Sequence, residues 1–287
     1  MKTLKLFLFS ILSFLLISQA VDAQVIKTTK KKPGIMIEVN AGYGLPLMDL
    51  KGDATGFWDF SNYGTSTGYN GNFTVKLGVQ SYKMAQLRPY FTLGYSQFTG
   101  DREGVAHNPD GKIPAGWPNT GFTGQSTYVP VDTTGTSEVV LRMPYAALGF
   151  EIAQYTDKKN LSSFNFGLDI MMSFIFGRAN ETLTYNVPGG EAANNEISYT
   201  MKSNVRWGLG LNVGYNYRIE RSPVGFNVGT RFQMNNLIGK EVKEANVEGE
   251  IYLMDGSAPG VNPLLSNSRS ISSLTFFGGV CFYIGSK

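Results

Sequence analysis

The side chains able to do chemistry in this 287-residue sequence are few and scattered. His107 is the only histidine, with Asp101, Glu103 and Asp110 close by in sequence. A histidine beside a carboxylate suits a general base, but catalysis also needs a nucleophile or an activated water held against it. No serine, threonine or cysteine stands in a pattern that would supply one, so His107 reads as a solvated loop residue and no enzymatic activity is expected. A metal needs several converging ligands. Asp49, Asp53 and Asp132 are isolated among glycines and read as turn residues. Cys281 is the only cysteine, which excludes an internal disulfide and any ordinary cysteine-based zinc site. Gly208, Gly210 and Gly214 fall at even spacing, unlike a phosphate-cradling loop before a helix, so neither metal nor cofactor is expected.

Two constellations remain. Glu38, Lys76, Glu151, Asp169, Arg206 and Arg231 each sit within a stretch of alternating apolar and polar residues, always on the polar side. Three acids against three bases suit a mutually neutralised network. The second set is aromatic. Trp58, Tyr63, Trp117 and Tyr128 lie amid Gly, Asn and Thr, as in loops that bind a protein or glycan or that pack on one another.

The totals narrow the class of protein. Charged residues are 16% of the chain, against roughly 25% in ordinary soluble domains. A formal charge of +3 without a basic aromatic-studded face excludes a nucleic-acid partner. At the N-terminus, Lys2 and Lys5 precede an apolar run from Leu6 to Ile17, and Val21-Asp22-Ala23 offers small residues for cleavage before Gln24. That run falls short of the roughly 20 residues of a membrane-spanning helix. Residues 1–23 therefore read as a cleavable signal peptide, 24–34 as a polar, basic tail, and 35–287 as one domain.

What positions the charges is a period of two, the signature of strands with unlike faces. Ile35, Ile37, Val39, Ala41 and Tyr43 alternate with polar or small residues. So do Phe73 to Val79, Phe91 to Tyr95, Ala146 to Ile152, Phe164 to Phe174, Val205 to Tyr217, Val224 to Phe232 and Leu274 to Ile284, which makes eight strands. The apolar side carries no charge on any of them, as a lipid-facing side must, since Lys or Arg at the bilayer midplane costs about 2–4 kcal/mol. Eight strands enclose a lumen only wide enough for side chains or one small ligand. The Phe, Leu, Trp, Ile and Val rows are too bulky for it, so the glycine-rich polar side must face inward.

The connections alternate in expected length. Leu45–Tyr69, Gly100–Thr136, Arg178–Asn204 and Asn235–Ser270 are long; Ser81–Arg88, Thr156–Asn160 and Ile219–Pro223 are short. Short turns on one side and long loops on the other are the pattern of an eight-stranded antiparallel, up-and-down transmembrane β-barrel with four long extracellular loops and short periplasmic turns.

On these residues the chain resembles the small outer-membrane barrels of Gram-negative bacteria, the OmpA/OmpX-like superfamily, and most of all its diverse group with PorT-like members. The resemblance covers about Ile35 to Ile284 and is one of pattern. It implies a C-terminal signal for the barrel assembly machinery. Gly279, Phe282 and Ile284 match that signal in spacing, while Phe277 stands where a polar residue is usual. It also implies outer-membrane lipids as partners and, as function, an envelope-structural or surface-binding role through the long loops. The alternative it implies is a narrow conduit or an accessory component of protein secretion.

Overall fold

The computed structural model describes residues 34–51, 63–78, 80–82, 85–106, 133–186, 192–238, 250–251 and 270–285. Eight strands carry the fold: β1 (Ile35–Leu47), β2 (Thr67–Leu77), β3 (Ala85–Ala106), β4 (Thr133–Tyr155), β5 (Ser162–Asn186), β6 (Ala192–Arg218), β7 (Val224–Ile238) and β8 (Ser272–Ile284). A short segment, Gln80–Tyr82, extends β2 against the start of β3. Each strand pairs antiparallel with its sequence neighbours, and β1 pairs with β8 from Ile35↔Ile284 to Leu47↔Ser272. The ring of hydrogen bonds is therefore closed, which leaves no sheet edge around the barrel wall. Among the described residues no helix is long and apolar enough to cross a membrane.

Side-chain burial follows the alternation strand by strand. On β5, Phe164, Phe166, Leu168, Ile170, Met172 and Phe174 are exposed, while Asn165, Asp169, Met171 and Ser173 are buried. Leu148 is 67% exposed and Glu151, three residues along the same strand, 2%. An outer surface of bare Leu, Phe and Ile around a polar interior is stable only with acyl chains outside. The chain is thus an outer-membrane-type β-barrel, in the orientation expected from residue volume.

The strands differ from expectation at their loop-side ends. β5 continues to Asn186 and β6 begins at Ala192, so most of the expected loop Arg178–Asn204 is a paired ribbon. β3 likewise runs to Ala106 and β4 starts at Thr133, inside the expected loop Gly100–Thr136. The central strands β3 to β6 have 22 to 27 residues against 11 to 15 for the other four, and so project beyond the barrel on the loop side. Glu250–Ile251 adds a short parallel pairing to this extension at Thr200–Met201. Above the membrane neither face of a ribbon meets lipid, so the apolar alternation that marks a spanning strand is not required there. On the turn side the β2–β3 connection is tighter than expected, since strand pairing resumes at Tyr82↔Ala85.

Candidate functional site

The interior is layered. Nearest the turn side, Lys76 of β2 lies 2.8 Å from Glu38 of β1 and also pairs with Glu151 of β4. Arg88 of β3 reaches the other Glu151 oxygen at 3.3 Å and is held by Tyr155 Oη at 3.0 Å and Gln86 Oε1 at 2.8 Å. The Asn216 amide donates to Glu38 at 3.0 Å. Two acids and two bases thus neutralise one another, Glu151 meeting both bases and Glu38 meeting Lys76 and Asn216. Such pairing is what burial requires, because a lone buried charge is penalised by several kcal/mol.

One layer toward the loops, Arg231 of β7 meets Asp169 of β5 at 2.8 Å. The Tyr90 hydroxyl donates to the second Asp169 oxygen at 2.7 Å, and Asn212 is bound by both Arg231 (2.7 Å) and Tyr90 (2.6 Å). The Arg231 guanidinium also lies 5.5 Å from the centre of the Tyr145 ring. Between the two layers is an internal cavity of roughly 30 Å³ lined by Glu38, Lys76, Tyr90, Glu151, Asn212 and Arg231 among others. At about 10–15 Å³ per water centre, it has room for two or three water molecules.

On the loop side of the lumen an apolar cluster lies beside buried Ser173, Arg206, Gln233 and Asn235. Phe98, Leu141, Met143 and Ile175 project inward from β3, β4 and β5, and Leu50, Tyr63 and Ile271 enter from the segments joining the strands. Main-chain bonds fix those entries: Tyr63 N to Asp49 O at 2.8 Å, Thr65 N to Leu50 O at 3.1 Å, and Asn235 N to Ile271 O at 2.8 Å. Phe98 lies over Gly44 and Gly68, which are paired across β1 and β2. A Cβ at Gly44 would stand 3.0 Å from the ring, so only a glycine pair leaves room for it.

Five of the six charges read from the sequence fall into these two layers: Glu38, Lys76 and Glu151 in one, Asp169 and Arg231 in the other. Arg206 is also buried, placed by register opposite Ser173, nearer the loop side than Asp169. Sequence reasoning missed Arg88, Tyr90 and Asn212. The alternation that puts Phe91, Leu93 and Tyr95 outward makes the even positions inward, and carrying it back past Pro89 would have found Arg88 and Tyr90. Asn212 was on the inward face but uncharged.

Tyr63 requires correction as a surface-contact candidate: it is 2% exposed and packed with Leu50 and Phe98, where an aromatic ring fills the barrel mouth. Trp58, Trp117, Tyr128 and His107 lie outside the described residues. Asp49 lies in a short 3-10 turn, but its carboxylate accepts from the distant Ser270 amide at 2.6 Å, a long-range tie and not the local turn contact expected. In β8, Phe282 and Ile284 are exposed to the lipid side, and Gly279 faces Asn40 and Asn227 across the sheet.

No protein-family model matches the sequence, and no curated protein matches it. Solved structures with a similar course of chain include Ail, the attachment invasion locus protein of Yersinia pestis, in complex with a heparin analogue. It is 8% identical with a TM-score of 0.30, over 86% of this chain and 99% of that one. The outer membrane protease OmpT of Escherichia coli is 10% identical with a TM-score of 0.36, over 92% and 100%. The translocator domain of the autotransporter NalP of Neisseria meningitidis is 8% identical with a TM-score of 0.23, over 98% and 97%. Likenesses at this level transfer no residue's role, and the barrel stands on its own closed ring of hydrogen bonds.

Proposed function

We propose that this chain is a non-enzymatic barrel of the bacterial outer membrane that conducts nothing and acts through its outer surface. Its role is to strengthen the envelope or to engage a protein or glycan outside the cell through its loops. The single observation behind this reading is the filled lumen: two ion-paired layers closed on the loop side by Phe98, Leu141, Met143, Ile175 and Leu50. A narrow conduit is disfavoured by the same packing. Trp58, Trp117 and Tyr128 are the contact residues proposed for an outside partner. The proposed kinship is with OmpA/OmpX-like barrels, and an accessory part in secretion would likewise have to work through surfaces and not the lumen.

Export by a signal peptide at residues 1–23 and recognition of β8 by the barrel assembly machinery complete the proposal; the mature protein should begin at Gln24 by N-terminal sequencing. The decisive experiment is planar-bilayer recording of the purified barrel. No stable conductance is expected, and a reproducible open channel would overturn the reading.

A further inference from the structure

The outward face of β3, β4 and β5 changes character along one line. Below that line, Phe91, Leu93 and Tyr95 of β3, Phe150 and Leu148 of β4, and Phe164 to Phe174 of β5 offer only apolar or aromatic surface. Above it, the next outward positions are Gln97, Arg142 and, beyond Phe176, Arg178. The line is where the membrane should end. With a rise of about 3.3 Å per residue and a tilt of about 40°, each residue advances roughly 2.5 Å along the normal. The outward polar positions that bound the apolar stretch of β4, Gln154 and Arg142, are then about 30 Å apart, close to the apolar band of about 25 Å such barrels present.

Arg142 is paired with Phe176, and Arg178 with Val140, so the arginines are diagonal neighbours on adjacent strands. Diagonal neighbours stand about 7 Å apart. Arg178 is exposed and Arg142 half-exposed, and no carboxylate among the described residues pairs with either. Charges elsewhere are treated differently: Lys159 and Glu220, both on surface turns, pair at 2.8 Å. Two guanidinium groups side by side repel each other, with Glu138 at the other diagonal of Arg178, and an anion between the two arginines relieves that repulsion. Gln97, paired with Arg142 across β3 and β4, accepts from the Tyr95 hydroxyl at 2.9 Å through Oε1, which leaves its amide nitrogen as a third donor.

We infer that Arg142, Arg178 and Gln97 form a binding site for the phosphate-bearing headgroup of an anionic outer-membrane lipid. The guanidinium fork matches phosphate oxygens two at a time. The lipid's chains lie along Pro144, Leu148 and the tilted Phe174–Phe176 ring pair, whose centres are 5.8 Å apart. Asp101 and Glu138, directly paired across β3 and β4 and exposed, bound the site from above. They favour a headgroup whose outer end is hydroxylated and not a second phosphate. This site rests on the outer-membrane reading above.

The test is native mass spectrometry of the full chain in nonionic micelles, titrated with phosphatidic acid, phosphatidylcholine and inorganic phosphate. Phosphatidic acid should be retained about tenfold more tightly than phosphatidylcholine, a difference of about 1.4 kcal/mol. The preference should vanish in R142Q/R178Q and persist in K158Q/K159Q, which alters the opposite end of the barrel. Should the double variant fail to fold, R178Q alone, at an exposed position, should reduce the preference about threefold or more. Equal retention of the two lipids, a preference that survives removal of the arginines, or equally tight retention of inorganic phosphate would each overturn the inference. Insertion of the wild-type chain into phosphatidylcholine vesicles separates the two readings. A barrel that inserts but shows no preference loses only this site; one that fails to insert loses the membrane reading as well.

Discussion

Adding a single methyl group to Gly68 tests the closed mouth of the barrel. An alanine there would drive its Cβ well inside van der Waals contact with the Phe98 ring, which is fully buried. The ring has little room to retreat, since Gly44 lies against the same edge and Leu50 and Tyr63 belong to the same packed cluster. Overpacking of this kind costs about 1–3 kcal/mol. Phe98→Ala should by itself cost about 3–5 kcal/mol through the cavity it leaves. In that background the Gly68→Ala methyl falls into empty space, where a buried methyl contributes about 0.8 kcal/mol and the strand loses a flexible glycine, worth about 0.5–1 kcal/mol. Gly68→Ala should therefore destabilise the wild type and stabilise the Phe98→Ala variant, with a coupling of about 2–4 kcal/mol. Equilibrium guanidinium unfolding in lipid vesicles, followed by tryptophan fluorescence and by the gel mobility of unboiled samples, measures all four corners. Additive effects within about 0.5 kcal/mol would mean that Phe98 does not lie on the glycine pair, and the plug argument would fail with it.

Two further perturbations probe the polar interior and the turns. Lys76→Met removes the cation shared by Glu38 and Glu151 and should cost about 3–5 kcal/mol in the same unfolding assay. Adding Glu38→Gln should then recover part of the loss, and a double variant less stable than the single one would refute the pairing. At the β4–β5 turn, amides of Ser162 (2.8 Å), Leu161 (2.9 Å) and Lys159 (3.0 Å) donate to Asp157. These bonds, that of Ser162 foremost, hold its carboxyl below the usual carboxylate range. A lowered folded value means stabilisation that is complete above the unfolded value, near pH 4, and lost as pH falls through the folded one. Asp157→Asn should thus destabilise the barrel at pH 7, with the difference from wild type shrinking below about pH 4; a gap unchanged between pH 7 and pH 3 contradicts that origin.

Sequence alone determined the number of spanning strands, their facing and five of the charges in the two lumen layers. The physical reason is that lipid imposes its demand locally: every second side chain in contact with acyl tails must be apolar, whichever strand is next to it. Ile35 to Tyr43 and Val205 to Tyr217 therefore announce their orientation without a partner. Partnership is a different matter. That Lys76 lies between Glu38 and Glu151, and that Asp169 selects Arg231, depends on register between strands up to 75 residues apart in sequence. Arg88 escaped notice because the alternation of β3 is hard to follow across Pro89 and Arg88 itself resembles a turn residue. The projecting ends of β3 to β6 were illegible because hydrogen bonding across strands, and not lipid, holds them, so no apolar period marks them. Tyr63 looked like a loop contact and became a plug residue for the same reason. Nothing local states which loop side chains turn down into the barrel mouth, and only the fit of Leu50, Tyr63 and Phe98 against a glycine pair decided it.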